Sequence, residues 1–144
     1  MTNRKLNCVL LIDDDEPTNF LNKMLIEETG FANEVRVAQS AREALDYLSG
    51  KSAEQTGSKP PVPDLIFLDI NMPAMDGWEF LEQYDRLSPQ QKASIIVVML
   101  TTSFNPEDEN KAKTISYISS YQNKPLTEDI INGILKEHFD WEVK

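Results

Sequence analysis

Short apolar runs alternate five times with segments of helical spacing, and this alternation restricts the fold more than any other feature of the chain. The runs are Leu6 to Ile12, Glu34 to Val37, Leu65 to Leu68, Ile95 to Leu100 and the more polar Ser116 to Gln122. A strand with one wet face alternates apolar and polar residues, whereas Leu65 to Leu68 and Ile95 to Leu100 are apolar throughout and Leu6 to Ile12 is so but for Asn7, as strands buried on both faces are. Between them, Phe20, Leu21, Met24 and Leu25 recur at helical intervals and predict an apolar helix face, which Gly30 ends. Ser40 predicts the next helix start, with Glu43 three residues on closing a capping box and Ala41, Ala44, Leu45 and Leu48 facing the core. A third helix is predicted from about Asp76, with Trp78, Phe80, Leu81 and Tyr84 on or near its buried side. Asn105-Pro106 puts proline at a first helical position. Thr127 opens the last helix, whose stripe is Ile130, Ile131, Ile134 and Leu135. Parallel strands joined by right-handed helical crossovers make a doubly wound α/β domain. In such a sheet, chemistry sits beyond the carboxyl ends of the strands.

At 144 residues the chain fits one domain, with a core expected over about residues 6–139 and no output domain. Residues 51–63, polar and proline-rich, predict a long surface loop. Fourteen basic and 24 acidic side chains leave a net charge of −10, which repels phosphate backbones and argues against nucleic-acid binding. The same charge favours cationic partners or metal ions. No apolar run is long enough to cross a membrane. The run from Val9 to Ile12 is too short for a secretory leader and stops at acids. A single cysteine, Cys8, agrees with a reducing compartment, so a cytoplasmic location is expected.

Four groups fall at the ends of four strands: Asp13-Asp14-Asp15-Glu16, Asp69, Thr101-Thr102-Ser103 and Lys124-Pro125. Taken singly, each has an ordinary explanation. An aspartate there often only caps the next helix, the favoured reading of Asp15 and Glu16, and a threonine is a good strand residue. Their convergence on one rim is what those explanations omit. Asp13, Asp14 and Asp69 brought together need a neutralising cation, and a hard divalent ion such as Mg²⁺ suits carboxylate and phosphate oxygens. A carboxylate beside such an ion can attack phosphorus and become an acyl phosphate. Lys124 and the Thr101 hydroxyl would then serve two phosphoryl oxygens. In DINMPAMDG, Pro73 and Gly77 predict a fixed turn after Asp69. Cys8 reads as core packing, and His138 as a helix C-terminal cation rather than a catalyst.

The segments LLIDDDEPTN, LIFLDINMPAMDGWEF, VVMLTTS and YQNKPLT resemble, in order, those of the receiver domain of bacterial response regulators, the family of the chemotaxis regulator. The resemblance spans nearly the whole chain. It implies a flavodoxin-like sheet of order 2-1-3-4-5 with five helices. It implies Asp69 as phosphoacceptor and an Mg²⁺ or Mn²⁺ site at Asp13, Asp14, Asp69 and the Asn71 backbone carbonyl, with Asp14 a direct ligand and Asp13 acting through water. Lys124 matches the phosphate-binding lysine, ahead of a cis Pro125. Thr101 and Tyr121 match a switch pair that reshapes the face of the fourth helix, fifth strand and fifth helix. The implied donor is a sensor histidine kinase or histidine phosphotransfer protein, and the implied state a monomer or weak homodimer through that face. The 51–63 loop and VVMLTTS resemble a subgroup paired with phytochrome-type kinases. Thr102 departs from the small residue usual in the family, and Asn123 from an apolar one. Two other classes compete: a haloacid-dehalogenase-type phosphatase, against which Pro17 speaks, and a degenerate receiver that only binds a partner.

Overall fold

A computed structural model describes residues 4–50, 61–87, 96–102, 105–115 and 118–142. Its strands are β1 (Leu6–Ile12), β2 (Ala32–Ala38), β3 (Leu65–Asp69), β4 (Ile96–Thr101) and β5 (Ile118–Asn123). The helices between and after them are α1 (Glu16–Thr29), α2 (Ala41–Ser49), α3 (Gly77–Asp85), α4 (Pro106–Lys113) and α5 (Glu128–His138). All pairings are parallel, in the order β2-β1-β3-β4-β5. Of the expected loop, residues 51–60 lie outside the described residues, as do Ile95, Ser116 and Tyr117 at the starts assigned to two strands.

Side chains of a strand point alternately to its two faces, and here each face has its own core. Leu10, Ile12, Ile66, Leu68, Val97 and Met99 meet Ala44, Leu45 and Leu48 of α2 and Phe80, Leu81 and Tyr84 of α3. Val9, Leu11, Phe67, Val98 and Leu100 meet Ile26 of α1 and Ile131, Ile134 and Leu135 of α5. The central strand β3 is buried at every residue, whereas β5, at an edge, is only half-buried. At the far end of the sheet Trp141 packs edge-on against Phe31, with 6.4 Å between ring centroids, and its indole N–H donates to the Arg4 carbonyl at 2.9 Å.

Two local expectations need correction. In α1 the apolar residues Phe20, Leu21 and Met24 are 66%, 58% and 41% exposed, and the buried residues are Asn19, Asn22 and Ile26. The helix spacing was right, but the inward face is not the most apolar one. At α2, Ser40 accepts from the Glu43 N–H as expected, yet the Glu43 carboxylate accepts from the Gln39 N–H rather than closing a box on Ser40. The closed capping box lies at α3, where Asp76 accepts from the Glu79 N–H and Glu79 from the Asp76 N–H.

Candidate functional site

The carboxyl ends of β1, β3, β4 and β5 bring Asp13, Asp69, Thr101 and Lys124 to one rim, since parallel strands in register all end on the same side. Asp13, Asp69 and Thr101 are nearly sealed from solvent, at 4%, 5% and 1% exposure. The Lys124 ammonium lies between the two acids, 2.6 Å from Asp13 Oδ2 and 3.1 Å from Asp69 Oδ1. Its own N–H donates to the Thr101 carbonyl at 2.7 Å, which fastens the end of β5 to the end of β4. The Lys124–Pro125 peptide is cis, as the resemblance implied.

Burial and the Asp13 charge push the Asp69 carboxyl above its ordinary pKa, against the opposing pull of Lys124 and of the Asn71 backbone N–H. For Lys124, burial alone would lower the pKa, but Asp13 and Asp69 outweigh it and hold the ammonium above its usual value. One cation is thus shared by two carboxylates, and a third, exposed Asp14, has an oxygen close to theirs. Oxygens of Asp13, Asp14 and Asp69 all lie within 4.8 Å of one another. Three carboxylates against one ammonium leave excess negative charge on hard oxygen donors, which is the environment that a divalent cation such as Mg²⁺ fits.

The neighbouring loops show how the sequence holds this arrangement. Asp15 caps α1, its carboxylate accepting from the Thr18 N–H and hydroxyl, which lowers its pKa. That was its ordinary reading, and the structure agrees. After Asp69 the chain makes a tight turn in which the Met75 N–H donates to the Pro73 carbonyl at 2.7 Å. Ala74, not Gly77, takes the positive φ, of 67°. Gly77 is needed for another reason: a Cβ there would lie 2.9 Å from both the Asp69 carbonyl oxygen and the Ile70 Cα. The start of α3 therefore seats directly on the strand end that carries Asp69. The Tyr121 hydroxyl interacts with the Asn105 backbone and the Thr101 side chain, so the two residues expected to form a switch touch.

Residues not brought into the pocket are also clear. Cys8 is fully buried in β1, and burial pushes its thiol up to about 11, which suits packing and not redox chemistry. His138 lies at the end of α5, away from the acids. Asn19 was not singled out by sequence. It donates from Nδ2 to the Asp13 carbonyl at 2.7 Å, a contact across six residues that only the folded loop creates.

Residues 9–136 match a family model described as the response regulator receiver domain. Over 129 residues the chain is 30% identical to the probable methanogenesis regulatory protein FilR2 of Methanothrix harundinacea, covering 90% of this chain and 79% of that protein. The fold is similar to that of a two-component response regulator from Cytophaga hutchinsonii, with a TM-score of 0.81, 33% identity, and 96% and 100% of the two chains covered. It is also similar to that of the bacteriophytochrome response regulator AtBRR, with a TM-score of 0.75, 26% identity, and 97% of each chain covered.

Proposed function

The chain belongs to the response regulator receiver family of two-component signalling, and from that premise we propose that Asp69 is its phosphoacceptor. The observation that carries this reading is the part-buried Lys124 ammonium held between Asp13 and Asp69, which come from different strands. A structural ion pair needs one acid; two acids around one lysine, with a third at hand, are arranged for something more positive to enter.

An Asp69 oxygen attacks the phosphorus of a phosphohistidine on a sensor kinase or phosphotransfer protein. The phosphorus–nitrogen bond breaks and the imidazole leaves with its electron pair. Lys124 then serves a phosphoryl oxygen in place of the carboxylate, and the Thr101 hydroxyl donates to another. Mg²⁺ or Mn²⁺ would be held by Asp13, Asp14, Asp69 and the Asn71 carbonyl, and would neutralise charge on the phosphoryl oxygens. Thr101 moving toward the phosphoryl group releases its contact with Tyr121, and the face of α4, β5 and α5 follows as a population shift.

The donor docks on α1. Phe20, Leu21 and Met24 form an exposed apolar patch, and Leu21 and Leu25 share a groove with Thr102, Lys124 and Leu126 at the mouth of the site. Among the described residues no helix is long and apolar enough to cross a membrane. We place the protein in the cytoplasm, as a monomer or weak homodimer through the α4-β5-α5 face.

Incubation with acetyl phosphate or a phosphoramidate and Mg²⁺, read by intact-protein mass, tests the reading. One phosphoryl adduct is expected, absent in Asp69→Asn and in EDTA. No adduct, with no beryllofluoride complex either, would leave a binding module. Rapid turnover of the donor would make the protein a phosphatase.

A further inference from the structure

We propose that Asn19 is a positioning residue of the metal pocket, which sets cation affinity by holding the Asp13 carbonyl; this rests on the metal reading above. Asn19 is 3% exposed on the inward face of α1, and its Nδ2 donates to the Asp13 carbonyl at 2.7 Å. A carbonyl oxygen only accepts, so the amide nitrogen must face it and the amide oxygen must turn away. That oxygen is buried and has no hydrogen-bond partner among the described residues. A half-satisfied buried amide is a poor way to fill a core. Apolar side chains stand next to it in sequence, Phe20 and Leu21, and both face water. Packing therefore does not account for Asn19, whereas its bond to Asp13 does.

The bond acts on two candidate ligands at once. The Asp13 N–H is tied to the Ala38 carbonyl at 3.2 Å, and its carboxylate takes the Asp15 N–H at 2.9 Å and Lys124 at 2.6 Å. Asn19 ties down the remaining side, the carbonyl. That carbonyl belongs to the planar peptide joining Asp13 to Asp14, so fixing it also fixes where Asp14 begins. Partners that orient a ligand without touching the metal commonly change affinity by about ten- to a hundredfold.

The test uses the whole chain. Mg²⁺ affinity is measured by calorimetry, Mn²⁺ affinity by electron paramagnetic resonance, and thermal unfolding is followed in EDTA. Asn19→Leu, which keeps the bulk and loses the donor, is expected to melt no lower than wild type and to bind both ions about tenfold more weakly. Asn19→Gln, which keeps the donor, is expected to recover most of that loss. Ile26→Ala, about two helix turns further along the same buried face, is expected to melt lower while keeping its ion affinity. Should Asn19→Leu not fold, Asn19→Ala carries the same expectation for affinity. Wild-type affinity in the donorless variant overturns the inference, as does an equal loss in Ile26→Ala, which would mean general loosening. A wild type that binds neither ion overturns the metal reading and this inference with it.

Discussion

Helices α1 and α2 cover opposite faces of one sheet, and they obey different rules. In α2 the buried residues are Ala41, Ala44, Leu45 and Leu48, the apolar stripe that its spacing predicts. In α1 two asparagines and one isoleucine turn inward while Phe20, Leu21 and Met24 turn out. The difference follows from what each helix starts against. The α2 helix begins after an edge strand and only has to close a core. The α1 helix begins at the acids of the pocket, so its inner face answers to polar backbone there and its outer face is left apolar beside the groove. Hydrophobic burial chooses the face of a helix only where nothing polar competes for it.

If that contrast is right, truncations on the two helices should differ sharply. Leu45→Ala in α2 removes a buried side chain and should lower stability by about 2–5 kcal/mol in denaturant unfolding. An equal loss from Leu21→Ala in α1 would break the contrast. At the rim, Gly77→Ala forces a methyl against backbone 2.9 Å away; a cost of about 1–3 kcal/mol is expected, together with weaker Mg²⁺ binding.

The rim should also show the opposite sign. The Asp69 carboxyl is held above its ordinary pKa, by burial first and the Asp13 charge second. A group that binds its proton more tightly when folded disfavours the folded state once ionised. The penalty is absent below the unfolded pKa and full above the folded one. Without divalent ions, Asp69→Asn should therefore melt higher than wild type at pH 7, and the gap should close as the pH falls through the carboxylate range. A mutant that melts lower at pH 7 would mean that the lost contact with Lys124 outweighs the relieved repulsion. The smallest change in stability, within about 0.5 kcal/mol, is expected for Phe20→Ser on the exposed face of α1. Its effect should fall instead on the rate of transfer from a donor protein relative to that from acetyl phosphate.

Much of the candidate site was legible because its residues fall at strand ends. Asp13, Asp69 and Thr101 each close an apolar run, Lys124 follows the more polar fifth one, and parallel strands must end together. The capping box at α3 stands in Asp76 and Glu79 at the same three-residue spacing as Ser40 and Glu43, so spacing alone does not decide which pair closes. The inward face of α1 was not legible, because Phe20, Leu21, Met24 and Leu25 have helical spacing whichever way they point. Gly77 was legible as a turn residue but for the wrong reason: its need comes from the approach of α3 to β3, a distance no local pattern contains.

Sequence alone determined the five-strand alternation, the doubly wound architecture and the residue types at the rim, since these follow from local periodicity and from chain crossovers that run one way. Only the tertiary structure decided that one lysine serves two acids, that Asn19 holds Asp13, and that α1 turns its asparagines inward. Those outcomes depend on distances between segments far apart in the chain, Asp13 and Lys124 being 111 residues apart. Such distances are set when the whole sheet packs and cannot be computed from neighbours in sequence.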